Sequence, residues 1–324
     1  VYRHLLAPGG VINTWFARVW GGSTAAQDAN DSAALRALGR WQTLPGGSAT
    51  VQGLRPVDAD TDGQWLRQAV AEHRNNFHLA AAEDQLDSLE QGYALHSSPC
   101  DYQTRIEQHH KPLVIRCGWH DATTALGALS QFCSFSNPMH IVLGPWNHHG
   151  DARVDPFLPG DGTHIRAIAA EAQHDALIQS LASGLHAPTE PFGRVDYYTL
   201  GANQWHSTRA WPLPETQMQR LYLAEHHQLS AARPEADSGS DCHQVDPSCS
   251  SGINNRWGCQ MSEPVYFADR READKRLIVY DSEALPQDTE ITGHPVVHLL
   301  IRSSATDGQF FAYLECIDPD GRVR

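Results

Sequence analysis

The chain has 324 residues, enough for about two domains of roughly 150 residues each. Its 24 Lys and Arg residues against 38 Asp and Glu residues give a formal net charge of −14. This balance argues against a nucleic-acid partner, because phosphate binding needs clustered positive charge. No apolar run approaches the roughly 20 residues that a bilayer span requires. We therefore expect a globular chain with neither a nucleic-acid nor a membrane partner.

The first 110 residues predict short helices joined by loops. Apolar positions three and four residues apart indicate amphipathic helices at residues 33–38, 65–70 and 77–89. Clusters of Gly, Pro and Asp are typical of turns and occur at residues 21–23, 45–47 and 58–63.

Two short apolar runs, residues 112–118 and 140–145, predict strands buried on both faces of a parallel sheet. Residues 122–132 between them hold about three helical turns, as the crossover between parallel strands requires. A further helix is predicted over residues 165–185. This part of the chain is therefore predicted to contain a βαβ unit.

Beyond residue 188 the predicted elements are strands separated by turns, without intervening helices. The runs are residues 195–200, 220–224, 276–280, 296–301 and 309–317. This pattern favours an antiparallel β-sandwich. Residues 229–263 are predicted to be a long loop with little core-forming material, because they are rich in Ser, Asp, Gly and Asn.

The seven cysteines are odd in number, and none is spaced CxxC. The odd count rules out a complete disulfide framework, and the spacing argues against a structural zinc site. One bridge among Cys242, Cys249 and Cys259 stays open, because all three lie in the same predicted loop. Free thiols in a reducing, cytoplasmic compartment are the expectation.

Polar side chains follow both predicted parallel strands: Asp121 follows the first and His148 the second. Because neighbouring strands lie about 4.8 Å apart and parallel strands end at one edge of a sheet, we expect these side chains to meet. A carboxylate beside an imidazole fixes its tautomer and stabilises the imidazolium. The two residues are thus candidates for the acid and base of a Ser-His-Asp triad.

Other roles stay open at these positions. Asp121 is also suited to cap the helix that follows it, and His149 is a rival to His148 as the base. Trp119 and Trp146 are interpreted equally as walls of a substrate pocket, together with His149, or as core packing residues. The nucleophile precedes the acid and the base in α/β-hydrolases, yet the chain contains no GxSxG motif.

Ordered motifs give the chain a family resemblance. They are Gly118-Trp119-His120-Asp121, Gly144-Pro145-Trp146-Asn147-His148, Leu200-Gly201-Ala202-Asn203-Gln204-Trp205 and Trp211-Pro212. In this order they resemble the cocaine esterase, α-amino-acid ester hydrolase and X-prolyl dipeptidyl-peptidase group of serine hydrolases. The resemblance implies a partial α/β-hydrolase domain over residues 1–187, with a helical cap at about 20–110. It also implies a jelly-roll β-sandwich over residues 188–324 that is truncated at its C-terminus.

The resemblance further implies a function for the parent protein. The parent would cleave acyl ester or amide bonds, X-Pro dipeptidyl and α-amino acyl bonds included, in a small-molecule or peptide substrate. His148 would be the general base and Asp121 its orienting acid, with no cofactor. The serine and the oxyanion donors are expected upstream of this piece, so the chain alone is expected to be inactive. The oligomeric state stays open, a homodimer included.

Two other classes of function compete with this interpretation. A metal-dependent hydrolase would use His120, Asp121, His148, His149 and Asp151 as ligands of a zinc ion with an open coordination position. A non-catalytic binding module would rely on residues 188–324, because jelly rolls also serve as lectin domains.

Overall fold

The computed structural model describes most of the chain. The described residues are 5–8, 11–37, 53–76, 98–150, 152–157, 175, 177–179, 182, 192–235, 238–250, 252, 254–261, 265 and 267–324. The chain divides into two compact units, Val1–Gln103 and Thr104–Arg324. The helix predicted at residues 77–89, the turn at 45–47 and most of the helix at 165–185 lie outside the described residues.

In its described residues, the first unit contains the α-helices α1 (Thr14–Asp28), α2 (Ser32–Ala37) and α3 (Gln64–Glu72). The predicted helices at residues 33–38 and 65–70 are confirmed as α2 and α3. The turn predicted at residues 21–23 is wrong, because these residues lie inside α1. Gly21 and Ser23 are buried there, and their small size suits a closely packed helix face.

Helix starts in the first unit are fixed by side-chain caps. The side chain of Asn13 accepts a hydrogen bond from the Phe16 amide at 3.0 Å, at the start of α1. The carboxylate of Asp60 accepts from the amides of Trp65 and Leu66 in α3. Residues 58–63 form the predicted turn before this helix. Such caps satisfy amides that have no partner within the helix.

The second unit is built on a sheet of four strands in the order β1-β2-β3-β4. A short helix, α4 (Gln103–Gln108), comes before the sheet. The strands are β1 (Leu113–Gly118), β2 (Met139–Gly144), β3 (Arg194–Thr199) and β4 (Gln204–Thr208). Strands β1 and β2 are parallel and are joined by α5 (Thr124–Ser134). The predicted βαβ unit is therefore confirmed.

Strand β3 corrects the prediction for residues 195–200, which placed them in a separate antiparallel sandwich. It pairs in parallel with β2, with Val195 opposite Ile141, and only β4 runs antiparallel to it. Both side chains are fully buried in one core with Leu143, and Leu129 of α5 packs there too. A short alternating run does not specify its sheet, and here this shared core decides the pairing. The domain limits at 187/188 stay a prediction.

The rest of the second unit contains short elements. Strands β5 (Tyr222–Ala224) and β6 (Gln228–Ser230) form a hairpin. Helix α6 (Arg256–Gln260) lies within the predicted loop 229–263, and α7 (Arg271–Asp274) follows it. All seven cysteines are free thiols in the structure, so Cys242, Cys249 and Cys259 form no bridge.

Three runs predicted as strands, residues 276–280, 296–301 and 309–317, form no ladder in this structure. The side chains of residues 296–301 and 309–317 are largely solvent-exposed, Leu300 and Phe311 among them. The prediction of paired strands is wrong here because a strand needs neighbours to satisfy its amides and carbonyls, and these runs have at most the isolated bridge of Ile317 with Val323. The jelly roll itself stays a prediction.

Two glycines end β1 and β2 because the backbone there passes against Trp146. A Cβ atom on Gly118 would lie 1.7 Å from the Trp146 carbonyl oxygen, and one on Gly144 would lie 2.2 Å from its ring. No real Cβ tolerates such distances, so only glycine fits without movement of the turn. The turn that follows β2 therefore depends on both glycines.

We expect Gly144→Ala to destabilise the fold by about 1–3 kcal/mol or more, because the added methyl group overpacks the Trp146 ring. Gly127→Ala in α5 is the matched control, since a Cβ there meets nothing within 4 Å. The control should stabilise the fold by about 0.5–1 kcal/mol through helix propensity. Urea unfolding measures both values. A Gly144→Ala variant as stable as the control would contradict this packing.

Candidate active site

Two loops that leave neighbouring strands form the site. The first follows β1 and carries Asp121, whose amide donates to the Gly118 carbonyl at 3.2 Å. The second follows β2 and carries His148, inside a turn closed by an amide–carbonyl bond from Asn147 to Ala152 at 3.0 Å. The parallel register of β1 and β2 brings both loops to one edge of the sheet. This is the edge at which open α/β sheets place their ligands.

Asp121 and His148 are in direct contact. The Nδ1 atom of His148 lies 3.1 Å and 3.0 Å from the two carboxylate oxygens of Asp121. The side chain of Asp121 is 5% exposed, whereas that of His148 is 43% exposed. The contact uses Nδ1, so Nε2 is the nitrogen that remains to accept a proton. This arrangement suits an imidazole whose orientation is fixed at Nδ1 by the carboxylate and whose Nε2 exchanges a proton with another group.

The contact changes the acidity of the imidazole. The hydrogen bond from His148 to Asp121 raises the pKa of His148 above its ordinary value of 6.5, and the negative charge of Asp121 acts in the same direction. Partial burial of the ring opposes this shift. The imidazolium is therefore stable up to a higher pH. This suits a group that must receive a proton during a reaction.

The alternative role of Asp121 as a helix cap is not what the structure shows. The N-cap of α5 is Thr123. Asp121 contributes only its backbone carbonyl there, which accepts from the amide and hydroxyl of Thr124. Its carboxylate contacts His148 instead. A buried carboxylate needs such a partner, because an unpaired buried charge is costly.

The residue after Asp121 has an uncommon backbone conformation. Ala122 has φ 42° and lies in the left-handed region, where few residues other than glycine are found. It is 3% exposed. Its amide donates to the Arg256 carbonyl at 3.0 Å. This turn directs the chain from Asp121 into α5, and a bond from a distant segment holds it.

Helix α6 is the part of the site that the sequence did not reveal. The carbonyl of Cys259 accepts a hydrogen bond from the His148 amide at 3.3 Å. The thiol of Cys259 is fully buried; burial and the nearby charge of Asp121 raise its pKa to about 12. The same two causes raise the pKa of Cys117 in β1 to about 12. Both thiols are therefore neutral and unreactive.

One sequence signal pointed to α6. Asn255 is a favourable N-cap residue, and it directly precedes Arg256–Gln260. Its side chain accepts from the Trp257 and Gly258 amides. Five residues in a polar loop carry too little periodicity for this signal to stand out.

The other predicted site residues lie close to the pair but make different contacts. His149 is exposed, and its ring centroid lies 5.8 Å from that of His148. The Trp119 indole donates to the Tyr198 carbonyl at 2.8 Å and packs against Trp211. Trp146 is 5% exposed and packs against other side chains. The observed contacts of both tryptophans are packing contacts, and a pocket-lining role stays a prediction.

The residues of the metal alternative do not form a ligand cluster where the structure describes them. His120 packs its ring against Phe267 at 5.3 Å between centroids. Its Nε2 is buried without a hydrogen-bond partner, and burial lowers its pKa to about 4. Among the described residues no three His, Cys, Asp or Glu side chains are grouped as a metal site needs. Asp151 lies outside the described residues.

No helix in the described ranges is both long and apolar enough to cross a bilayer.

Comparison with known proteins relates the whole chain to esterases. Residues 189–324 match the X-Pro dipeptidyl-peptidase C-terminal non-catalytic domain. The entire chain is 34% identical to a protein of Mycobacterium bovis named as a serine esterase, of which it covers 54%, and a Mycobacterium tuberculosis protein of that name gives the same values. Cocaine esterase of a Rhodococcus species is 24% identical, with 65% of this chain and 39% of that relative covered.

These matches relate the chain to hydrolases, because the relatives are named as esterases. They confirm the resemblance to the cocaine esterase and X-Pro dipeptidyl-peptidase group that the motifs predicted. The chain spans about half the length of the mycobacterial relatives it matches.

We expect Asp121→Asn to lower the pKa of His148, because the substitution removes the charge that stabilises the imidazolium. The same contact should stabilise the fold fully below pH 6.5, and this contribution should be lost as the pH rises through the raised pKa. An NMR titration of the His148 ring in the 324-residue chain measures the shift.

Asp196→Asn is the matched control for this titration. Asp196 pairs with His140 at 2.7 Å in the same sheet, so its loss should leave the His148 titration unchanged. An unchanged His148 pKa in Asp121→Asn would show that the two side chains do not interact in solution.

Proposed function

We propose that this chain carries the acid and the base of a Ser-His-Asp triad in a serine esterase. Asp121 is the orienting carboxylate and His148 is the general base. The observation that carries the proposal is the contact of His148 Nδ1 with the buried carboxylate of Asp121 at 3.0 Å. It leaves Nε2, on a partly exposed ring, as the atom that meets a serine hydroxyl.

The proposed chemistry follows from this geometry. His148 Nε2 takes the proton of the serine as its oxygen attacks the carbonyl carbon of an ester, and the buried carboxylate stabilises the imidazolium formed. The imidazolium then donates that proton to the departing alcohol oxygen. Water repeats the sequence on the acyl-enzyme, with the same imidazole as base and then as acid. The raised pKa of His148 supports this role.

The nucleophile belongs to a part of the protein beyond these 324 residues. The chain has no GxSxG motif and spans about half the length of its mycobacterial relatives. The donors that hold the oxyanion would come with the nucleophile, since one of them is the amide that follows it. We therefore expect the chain alone to be inactive and the full-length protein to be the enzyme.

The substrate bond to which we commit is a carboxylic ester. The relatives over the whole chain and the Rhodococcus relative are all named as esterases. Amide and X-Pro dipeptidyl bonds are the alternatives within the group, since residues 189–324 match a domain of X-Pro dipeptidyl-peptidase. Cleavage of either bond would use the same triad chemistry, but the amine is a poorer leaving group than the alcohol of an ester. A zinc mechanism has no comparable support, because the described residues offer no ligand cluster.

The test compares His148→Ala with His149→Ala in the full-length protein, using p-nitrophenyl acetate as substrate. His148→Ala should reduce kcat by at least about 10³-fold, the order of loss seen when a triad base is removed. His149→Ala is the matched control, because it is an exposed imidazole next in sequence with no contact to Asp121 recorded, and it should retain most activity.

Two further outcomes would count against the proposal. Substantial activity in His148→Ala, with loss of activity in His149→Ala, would indicate that His149 rather than His148 is the general base. Loss of activity on treatment with a metal chelator would favour the zinc mechanism over the serine one.

For the wild-type enzyme, kcat/KM should fall as the pH drops below the pKa of His148, because the protonated ring cannot act as a base. This fall is the acid limb of the pH profile, and the raised pKa of His148 places it above pH 6.5. Initial rates across pH 5–9 measure the limb. A profile that stays flat down to pH 5 would contradict an imidazole base at this site.

A further inference from the structure

Residues 255–260 join the two loops that carry Asp121 and His148. The Arg256 carbonyl accepts the Ala122 amide at 3.0 Å, next to Asp121. The Cys259 carbonyl accepts the amide of His148 itself at 3.3 Å. One short helix therefore receives a backbone hydrogen bond from each of the two loops.

The segment is itself fixed at both ends. At its start, Asn255 accepts from the Trp257 and Gly258 amides at 2.9 Å and 3.4 Å, and its own amide group donates to the Gly252 carbonyl at 2.7 Å. Near its end, Cys259 is fully buried in a cluster with Val154. The two accepting carbonyls therefore have defined positions.

The bond to Arg256 maintains a strained turn. Ala122 adopts φ 42°, a conformation that is unfavourable for a residue with a Cβ atom. Such strain persists only where surrounding contacts hold it. If the Arg256 carbonyl moved, the turn would relax, and Asp121, one residue earlier, would shift relative to His148.

The side chains of the segment do not explain its place in the site. The Cys259 thiol is buried and neutral, so it is no nucleophile. The Arg256 guanidinium lies over the Trp257 ring, 4.6 Å from its centroid. What reaches the two loops is the backbone of the segment, and Asn255 determines where that backbone begins to be helical.

We propose that residues 255–260 are a positioning segment for the Asp121–His148 pair, with Asn255 as the residue that sets it. By capping α6, Asn255 holds the Arg256 and Cys259 carbonyls where they fix the loop of the acid and the loop of the base. The segment touches no reacting atom and acts only through the pair. This inference rests on the proposed function.

The test is Asn255→Ala in the full-length protein, with the ester as substrate. Loss of the cap should make the positions of the Arg256 and Cys259 carbonyls less defined. We expect kcat to fall about tenfold, which is less than the roughly 100-fold loss caused by a 1 Å displacement of catalytic groups. KM should change by less than about twofold, because the segment does not touch the substrate. The acid limb of kcat/KM should move to lower pH, since a weaker contact with Asp121 raises the pKa of His148 less.

Asn255→Ser is the conservative rescue. Serine caps helices about as well as asparagine, so this variant should recover most of kcat and the wild-type pH limb. If Asn255→Ala does not fold, Asn255→Gly keeps a fair cap with no side-chain bond and is measured by the same two readouts.

Asn13→Ala is the matched control. Asn13 is also an asparagine N-cap, and it accepts from the Phe16 amide at 3.0 Å in the first unit. Its loss should lower the melting temperature as a lost cap does and should leave the pH limb unchanged. A shift of the limb in Asn255→Ala alone separates positioning from general stability.

Titration of the His148 ring by NMR in the 324-residue chain gives a readout that does not depend on turnover. Asn255→Ala should lower the pKa of His148 in this experiment too. An unchanged pKa together with unchanged kcat would overturn the positioning role and leave the triad intact. Full activity in His148→Ala would overturn the proposed function instead, so the two failures are distinguishable.

Discussion

The candidate site depends on one interaction, the contact between the buried carboxylate of Asp121 and Nδ1 of His148. A buried carboxylate such as that of Asp121 needs a partner, because an unpaired buried charge is costly. The imidazole provides the pairing, and in return its tautomer and orientation are fixed. The exposure difference between the partners, 5% against 43% for the side chains, makes the pair directional. The carboxylate of Asp121 is shielded from solvent, whereas the ring of His148 is exposed. Such exposure is needed if His148 is to exchange a proton with a group outside this chain.

The surrounding fold explains how two residues 27 positions apart reach this geometry. Parallel pairing aligns Gly118 with Gly144 at the strand ends, and both glycines admit Trp146 where any larger residue would collide. The left-handed Ala122 then turns the first loop, and α6 receives a backbone bond from each loop. The thiols of Cys117 and Cys259 are buried, and the charge of Asp121 helps to raise the pKa of both. These features position the loop of the acid and the loop of the base, while the His148 side chain stays 43% exposed.

The sequence predicted the parts of this arrangement that depend on local patterns. Continuous apolar runs indicate β1 and β2, and because parallel strands end at one edge of a sheet, the sequence predicts that Asp121 lies near His148. It did not predict α6, because a five-residue helix in a polar stretch acquires its position from contacts with distant loops. Residues 195–200 were assigned to the wrong sheet, since alternation describes two faces of a strand but not its neighbours. The exposed runs at residues 296–301 and 309–317 show the same limit, because apolar alternation alone does not supply a pairing partner.

Similarity to known proteins and the geometry of the site support the proposed function independently. The relatives are named as esterases, and the contact between Asp121 and His148 is observed in the structure itself. The central claim is that Nε2 of His148 serves a serine outside this chain. A crystal structure of the full-length protein inactivated by a serine-directed phosphonate tests it most directly. We expect the phosphonate on a serine whose oxygen lies within about 3.2 Å of His148 Nε2, with Asp121 still on Nδ1. A labelled serine distant from His148, or an Asp121 that has left the imidazole, would contradict the account.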